Sequence, residues 1–167
     1  FGPNDALTRA QVATILYRAC PTGSLTDTDN SSDANSVNKT PFPDVESGAF
    51  YTKAMNWAYA NGILTGVDGK GEMQPNREIT REELAVVMMR YAKSCGIAGA
   101  DAEPSEEGIT DWADVSSFAM SSIKWALANG VISGVDNLDG TRSLCPHDSA
   151  SRAQMAKIIL NVEAMRG

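Results

Sequence analysis

The chain has 167 residues, of which 43% are hydrophobic and 21% charged, and a net charge of −7. This is an ordinary composition for a globular protein, with enough chain to bury a core. The acidic balance argues against a nucleic-acid partner, which needs a basic surface, and no apolar run reaches the ~20 residues of a membrane span.

In chain order, the first element is announced by Leu7-Thr8-Arg9-Ala10-Gln11. Val12, Ile15, Leu16 and Ala19 then follow at i, i+3, i+4, i+7, which predicts an amphipathic helix over about 8–19. Residues 21–41 carry Ser, Thr, Asp and Asn throughout, with few apolar anchors, and predict a mobile polar linker. A longer unit occupies 42–95. It starts with Phe42-Pro43-Asp44-Val45 and continues as a predicted helix over about 47–61, with Phe50, Ala54, Trp57 and Ala58 on one face. Gly62 suits the left-handed position that closes a helix. A turn-rich loop with Asp68-Gly69 leads to Pro75, to Ile79-Thr80-Arg81-Glu82-Glu83, and to a second helix over about 80–94 carrying Leu84, Val87, Met88 and Tyr91. Residues 96–108 form a shorter acidic linker. The unit then recurs over 109–167, with Trp112-Ala113-Asp114-Val115 aligned to 42–45 and a front helix over about 117–129 that contains Trp125. Gly130 closes that helix, Asp139-Gly140 marks a loop three residues longer, and Pro146 precedes Ala150-Ser151-Arg152-Ala153-Gln154. The last helix, over about 151–165, carries Met155, Ile158, Ile159 and Val162.

The chain is therefore a repeat protein: two full copies, 42–95 and 109–167, and the back half of a third at 1–20. Arg9, Arg81 and Arg152 stand 72 and 71 residues apart. Two helices per copy cannot bury both faces alone, so the copies must pack on one another. The missing front half predicts an upstream continuation, and a place beside the first back helix that this chain does not fill.

The repeated phrase has a structural reading. Thr8, Thr80 and Ser151 are N-caps, and Gln11, Glu83 and Gln154 three residues on complete capping boxes. The arginines are not explained by this, because a cation in the first helical turn opposes the helix dipole. Each either pairs with an acid of the next copy, such as Asp44 or Asp114, or offers its planar fork beside a helix N-terminus to a carboxylate or phosphate. Trp57 and Trp125 suit either core packing or stacking on a sugar. Asp44 and Asp114 suit either sugar hydroxyls or a helix cap. Gly66 and Gly134 suit either a turn or a closely approaching ligand. His147 stands in the slot of Asn4 and Asn76 and reads as a loop residue. Cys20, Cys95 and Cys145 show no CxxC spacing, so neither a zinc site nor a full disulfide framework is indicated, although a Cys20–Cys95 bridge stays open. The Asp68–Glu72 loop lacks the alternating oxygen ligands of a calcium loop. No catalytic constellation, phosphate loop, metal motif or cofactor motif is present.

Together, Phe42-x-Asp44-Val45, Trp57-Ala58-x-Ala60-x-Gly62, Leu64-x-Gly66, Pro75 and Ile79-Thr80-Arg81-Glu82-Glu83, with their other copies, resemble the S-layer homology (SLH) family. The resemblance implies an all-α module of helical repeats packed in a pseudo-threefold arrangement. It implies non-covalent anchoring of a bacterial surface protein to an acidic, in many members pyruvylated, secondary cell-wall polysaccharide, with the module joined to an upstream domain. It also implies that Arg81, Arg9 and Arg152 contact ligand in grooves between neighbouring repeats, with the groove of Arg81 the most intact. The competing reading is a helical-repeat module for protein–protein contact, with structural arginines.

Overall fold

A computed structural model describes residues 2–20, 40–67, 71–97, 99 and 103–166. The expectation of mobility over 22–40 falls almost wholly outside these residues, as do Asp68, Gly69 and Lys70 of the loop considered for calcium. Five helices dominate: α1 (Arg9–Ala19), α2 (Thr52–Ala60), α3 (Arg81–Ser94), α4 (Met120–Ala128) and α5 (Arg152–Ala164). A short 3-10 turn spans Trp112–Asp114, and two strands, β1 (Val135–Asp136) and β2 (Arg142–Ser143), pair antiparallel.

The back helices α1, α3 and α5 lie where the apolar period put them. All three capping boxes form. Thr8, Thr80 and Ser151 each accept the N–H of the residue three further on, and that residue's side chain accepts the cap's own N–H. The front helices are shorter than expected. Gly48 has φ +80°, a left-handed conformation that no helix continues through, so α2 starts only at Thr52. Its N-cap, Tyr51, makes no side-chain cap, and neither does Ala119 before α4. Phe50 consequently lies outside the helix and is 73% exposed, instead of sharing the buried face of Ala54, Trp57 and Ala58. Gly62 and Gly130, at φ +66° and +64°, close the two front helices. Ile63 N–H returns to Ala58 O and Val131 N–H to Ala126 O, which folds each following apolar pair onto the last helical turn.

The all-α expectation needs one correction. The longer loop of the last copy is a small β-ribbon. Val135 pairs with Ser143 and Asp136 with Arg142, and Asp139 ties the tip by accepting from both the N–H and the O–H of Thr141. These hydrogen bonds hold Asp139 below the usual carboxylate range.

The chain divides into two compact units, Leu7–Glu78 and Phe1–Ala6 with Ile79–Gly167. This boundary does not follow the sequence repeat. The back helix of one copy packs with the front helix of the next: α1 on α2 in the first unit, α3 on α4 in the second. The core of the first is Leu7, Val12 and Leu16 against Met55, Trp57 and Ile63, all nearly inaccessible. The core of the second joins Leu84, Met88 and Tyr91 to Ile123, Leu144, Met155 and Val162. At its far end the Tyr91 hydroxyl donates to Glu163 at 3.1 Å, and Arg166 Nη2 donates to that hydroxyl at 3.4 Å, tying α3 to α5. Burial, reinforced by the negative charge of Glu163, pushes the Tyr91 phenol far above its ordinary range.

Candidate functional site

The N-termini of the three back helices dock in the same way. Arg9, Arg81 and Arg152 donate their N–H to Arg77, Asp148 and Asp5 carbonyls, and the next residues donate to the carbonyls of Pro75, Pro146 and Pro3. With the third N–H held by the capping box, the first three amides of each helix are already engaged. An anion therefore meets no free helix N-terminus here, contrary to the amide-assisted site drawn from the sequence. Attraction has to come from the guanidinium groups.

Those groups sit differently. Arg9 is 5% exposed, and its Nε and Nη2 donate to the carbonyls of Met73 and Thr65, each at 2.8 Å. Arg81 is half-buried. Its Nε donates to Leu144 O at 2.7 Å, the counterpart of the bond from Arg9 to Met73, and among the described residues no hydrogen bond reaches its Nη1 or Nη2. Arg152 is half-buried as well, with Nη1 3.9 Å from Asp5 Oδ2.

The residue gripped by arginine on its carbonyl is gripped by a carboxylate on its N–H. Asp44 accepts from Met73 and Gln74 N–H at 3.0 and 2.6 Å. In the last copy the same work falls to Asp111, which accepts from Leu144 and Cys145 N–H at 2.7 Å each. These bonds hold Gln74 and Cys145 at φ +48° and +49°, the two non-glycine residues with positive φ among those described. The sequence alignment paired Asp44 with Asp114, which lies exposed. Neither aspartate caps a front helix, and Asp44 reaches arginine only through the backbone of Met73.

Other candidates fall on both sides of the surface. Trp57 is 2% exposed and packs edge-on against Tyr17, its ring taken up by the core. Trp125 is half-buried, and a Cβ at Gly99 would come within 2.3 Å of its Nε1, so that edge is covered by backbone. Gly66 and Gly134 both follow the front helix where backbone crosses closely: an added Cβ would meet Glu72 O at 3.3 Å and Ser143 O at 3.2 Å. Gly134, at φ +77°, is required on both counts. Among the described residues no disulfide joins Cys20, Cys95 or Cys145. Burial, then the charge of Asp148, raises the Cys145 thiol. Among the described residues no group of His, Cys, Asp and Glu is arranged to hold a metal.

Arg81 lines a cleft of about 120 Å³ built from α3, α4, α5 and the β1 approach. Its walls are mostly aliphatic, from Leu84, Ile123, Val131, Ile132, Leu144 and Ile158. Ser133, Gly134 and Gln154 add polar or backbone edges, and Lys157 a second cation. Two residues of this unit escaped the sequence reading. Lys157 is one; it shares a face of α5 with Gln154 and Ile158 at i, i+3, i+4, and the aligned helices carry Thr14 and Val86 in its place. Glu82 is the other. It is 4% exposed, accepts from both the N–H and the O–H of Ser116 at 2.9 and 2.8 Å, and lies 3.7 Å from His147 Nε2. The aligned Ala10 and Ala153 were the signal that this acid has a local task.

Repeated helix pairs, loops clamped by Asp and Arg, and one cation-bearing aliphatic cleft define a helical-repeat binding module. The S-layer homology domain model matches residues 41–85 and 108–156. The chain belongs to the S-layer homology domain family, whose members are non-catalytic anchoring domains of cell-wall-associated bacterial surface proteins. It is similar to an amylopullulanase of Thermoanaerobacterium thermosulfurigenes (31% identity, 95% of this chain, 8% of that protein). It is also similar to exoglucanase XynX of Acetivibrio thermocellus (34%, 71% of this chain, 10% of that protein), and to a surface-layer 125 kDa protein of Lysinibacillus sphaericus (32%, 65% of this chain, 8% of that protein). The chain thus spans a tenth or less of the length of these relatives.

Proposed function

We propose that this module holds a larger surface protein to the cell wall by binding an acidic secondary cell-wall polysaccharide in the cleft of α3, α4 and α5. The observation that carries the reading is Arg81: a half-buried guanidinium, fixed by one bond from Nε, with both terminal nitrogens open in an aliphatic cleft. A planar fork held this way suits a carboxylate such as a pyruvate ketal, and the aliphatic walls suit the apolar faces of a sugar ring. Gly134 contributes a backbone edge to the same cleft. Arg152 offers a further cation at the start of α5, and Trp125 and Asp114 a further sugar edge. Arg9, Asp44, Gly66 and Trp57 occupy the corresponding places around the Met73 loop. The module's cargo would be a catalytic or surface-layer domain elsewhere in the same protein.

The test is co-sedimentation with purified cell walls, before and after removal of the secondary polysaccharide. Binding should disappear with the polysaccharide. Arg81→Ala should weaken it by about 1.5–3 kcal/mol, the range for a hydrogen bond to a charged group, while leaving the fold intact because the Thr80–Glu83 capping box survives. Arg81→Lys should restore little, since lysine lacks the fork. Undiminished binding to stripped walls would overturn the reading in favour of a protein partner.

A further inference from the structure

The cleft has a charge that the rest of the protein does not share. Acidic residues outnumber basic ones 21 to 14 over the chain. Yet among the described residues lining the cleft the charged ones are Arg81 and Lys157, and no carboxylate is present. Lys157 is exposed, and its ammonium has no hydrogen-bond or ion-pair partner among the described residues. The two cations come from different elements. Arg81 stands at the start of α3, and Lys157 in the second turn of α5, with the aliphatic walls of the cleft around them. Both positive charges thus face one cleft with no carboxylate in its lining, where low-dielectric walls strengthen their field.

We infer that this cleft reads two separate anionic groups, one on Arg81 and one on Lys157, and so selects a saccharide bearing two such groups over a saccharide bearing one. The inference rests on the wall-anchoring reading for the class of ligand, and adds a second charge and the residue that recognises it. The two cations have different chemistry. The Arg81 guanidinium, restrained through Nε, offers a directional fork, whereas the Lys157 ammonium is a point charge on a flexible stem that tolerates variation in the second group. Of the three aligned back helices, α5 alone carries a cation at this position, because Thr14 is 8% exposed and bonded to Ala10 O and Val86 is apolar. The preference for two charges therefore belongs to this cleft and is not a property of the repeat.

The experiment uses three defined probes, glucuronic acid, glucose 1-phosphate and glucuronic acid 1-phosphate, titrated into the ¹⁵N-labelled chain and followed by amide shifts. The probe with two anionic groups should bind about tenfold tighter than either probe with one, with shifts at Leu144, Gln154 and Lys157. Lys157→Gln is a surface change and should leave the fold intact. It should abolish the preference while keeping the weaker binding, whereas Arg81→Ala should remove both. Equal affinities for the three probes in the unaltered chain, or a preference that survives Lys157→Gln, would overturn the inference. Wall binding that falls with Arg81→Ala but not with Lys157→Gln would also overturn it, and would leave the anchoring reading standing. Wall binding indifferent to both substitutions would overturn the two together.

Discussion

Asp111→Ala should destabilise the unit formed by Phe1–Ala6 and Ile79–Gly167 far more than Asp114→Ala, although the sequence alignment makes Asp114 the important acid. Asp111 accepts two backbone N–H bonds at 2.7 Å, from Leu144 and Cys145. A hydrogen bond to a charged group contributes about 1.5–3 kcal/mol. Asp111 is only half-buried, so the lower end applies, giving about 3 kcal/mol for the pair. The loss leaves two donors without an acceptor and frees Cys145 from its positive φ. Asp111→Asn keeps one acceptor oxygen but turns an amide group toward the other donor, so it should cost about half as much. Asp114 is exposed and makes no side-chain bond among the described residues, so its removal should fall within about 0.5 kcal/mol. Urea unfolding followed by tryptophan fluorescence suits the comparison, because Trp112 and Trp125 both lie in this unit. With a slope of about 1–3 kcal/mol/M, the midpoint should drop by about 1–3 M for Asp111→Ala and barely move for Asp114→Ala. Equal midpoints, or a larger drop for Asp114→Ala, would refute the view that one carboxylate holds this loop.

Two further outcomes follow from the same geometry. Arg9→Ala should cost stability, about 2–4 kcal/mol, because it strips donors from the carbonyls of Met73 and Thr65; urea unfolding checks this, and a loss under about 1 kcal/mol would show that Arg9 holds little. The raised Tyr91 phenol means that the folded protein stays protonated there while the unfolded chain ionises near pH 10. The stability this group contributes is therefore complete below pH 10 and declines as pH rises beyond it. Tyr91→Phe should flatten that alkaline decline in a melting series from pH 9 to 11.5, at a cost of about 1 kcal/mol at neutral pH from the lost bond to Glu163.

By itself the sequence determined the repeat, its family, and the elements that rest on local physics. The three back helices, their capping boxes and the glycine closures at Gly62 and Gly130 were legible because each depends on residues within four positions of one another. The later start of the front helices was less so, since Gly48 acts through a backbone angle that the apolar pattern does not report. Tertiary structure decided how the copies combine. A back helix packs with the front helix of the following copy, so the compact unit is offset from the repeat that the sequence displays. It also separated three arginines that read alike: the same guanidinium closes on two carbonyls at Arg9 and on one at Arg81, and which surface remains is set by loops about 60 residues away. The exchange of Asp114 for Asp111 has the same cause. Alignment follows residue order, whereas a carboxylate serves whichever backbone donors the folded chain brings within 3 Å, and Lys157 entered the cleft only because α5 packs beside α3.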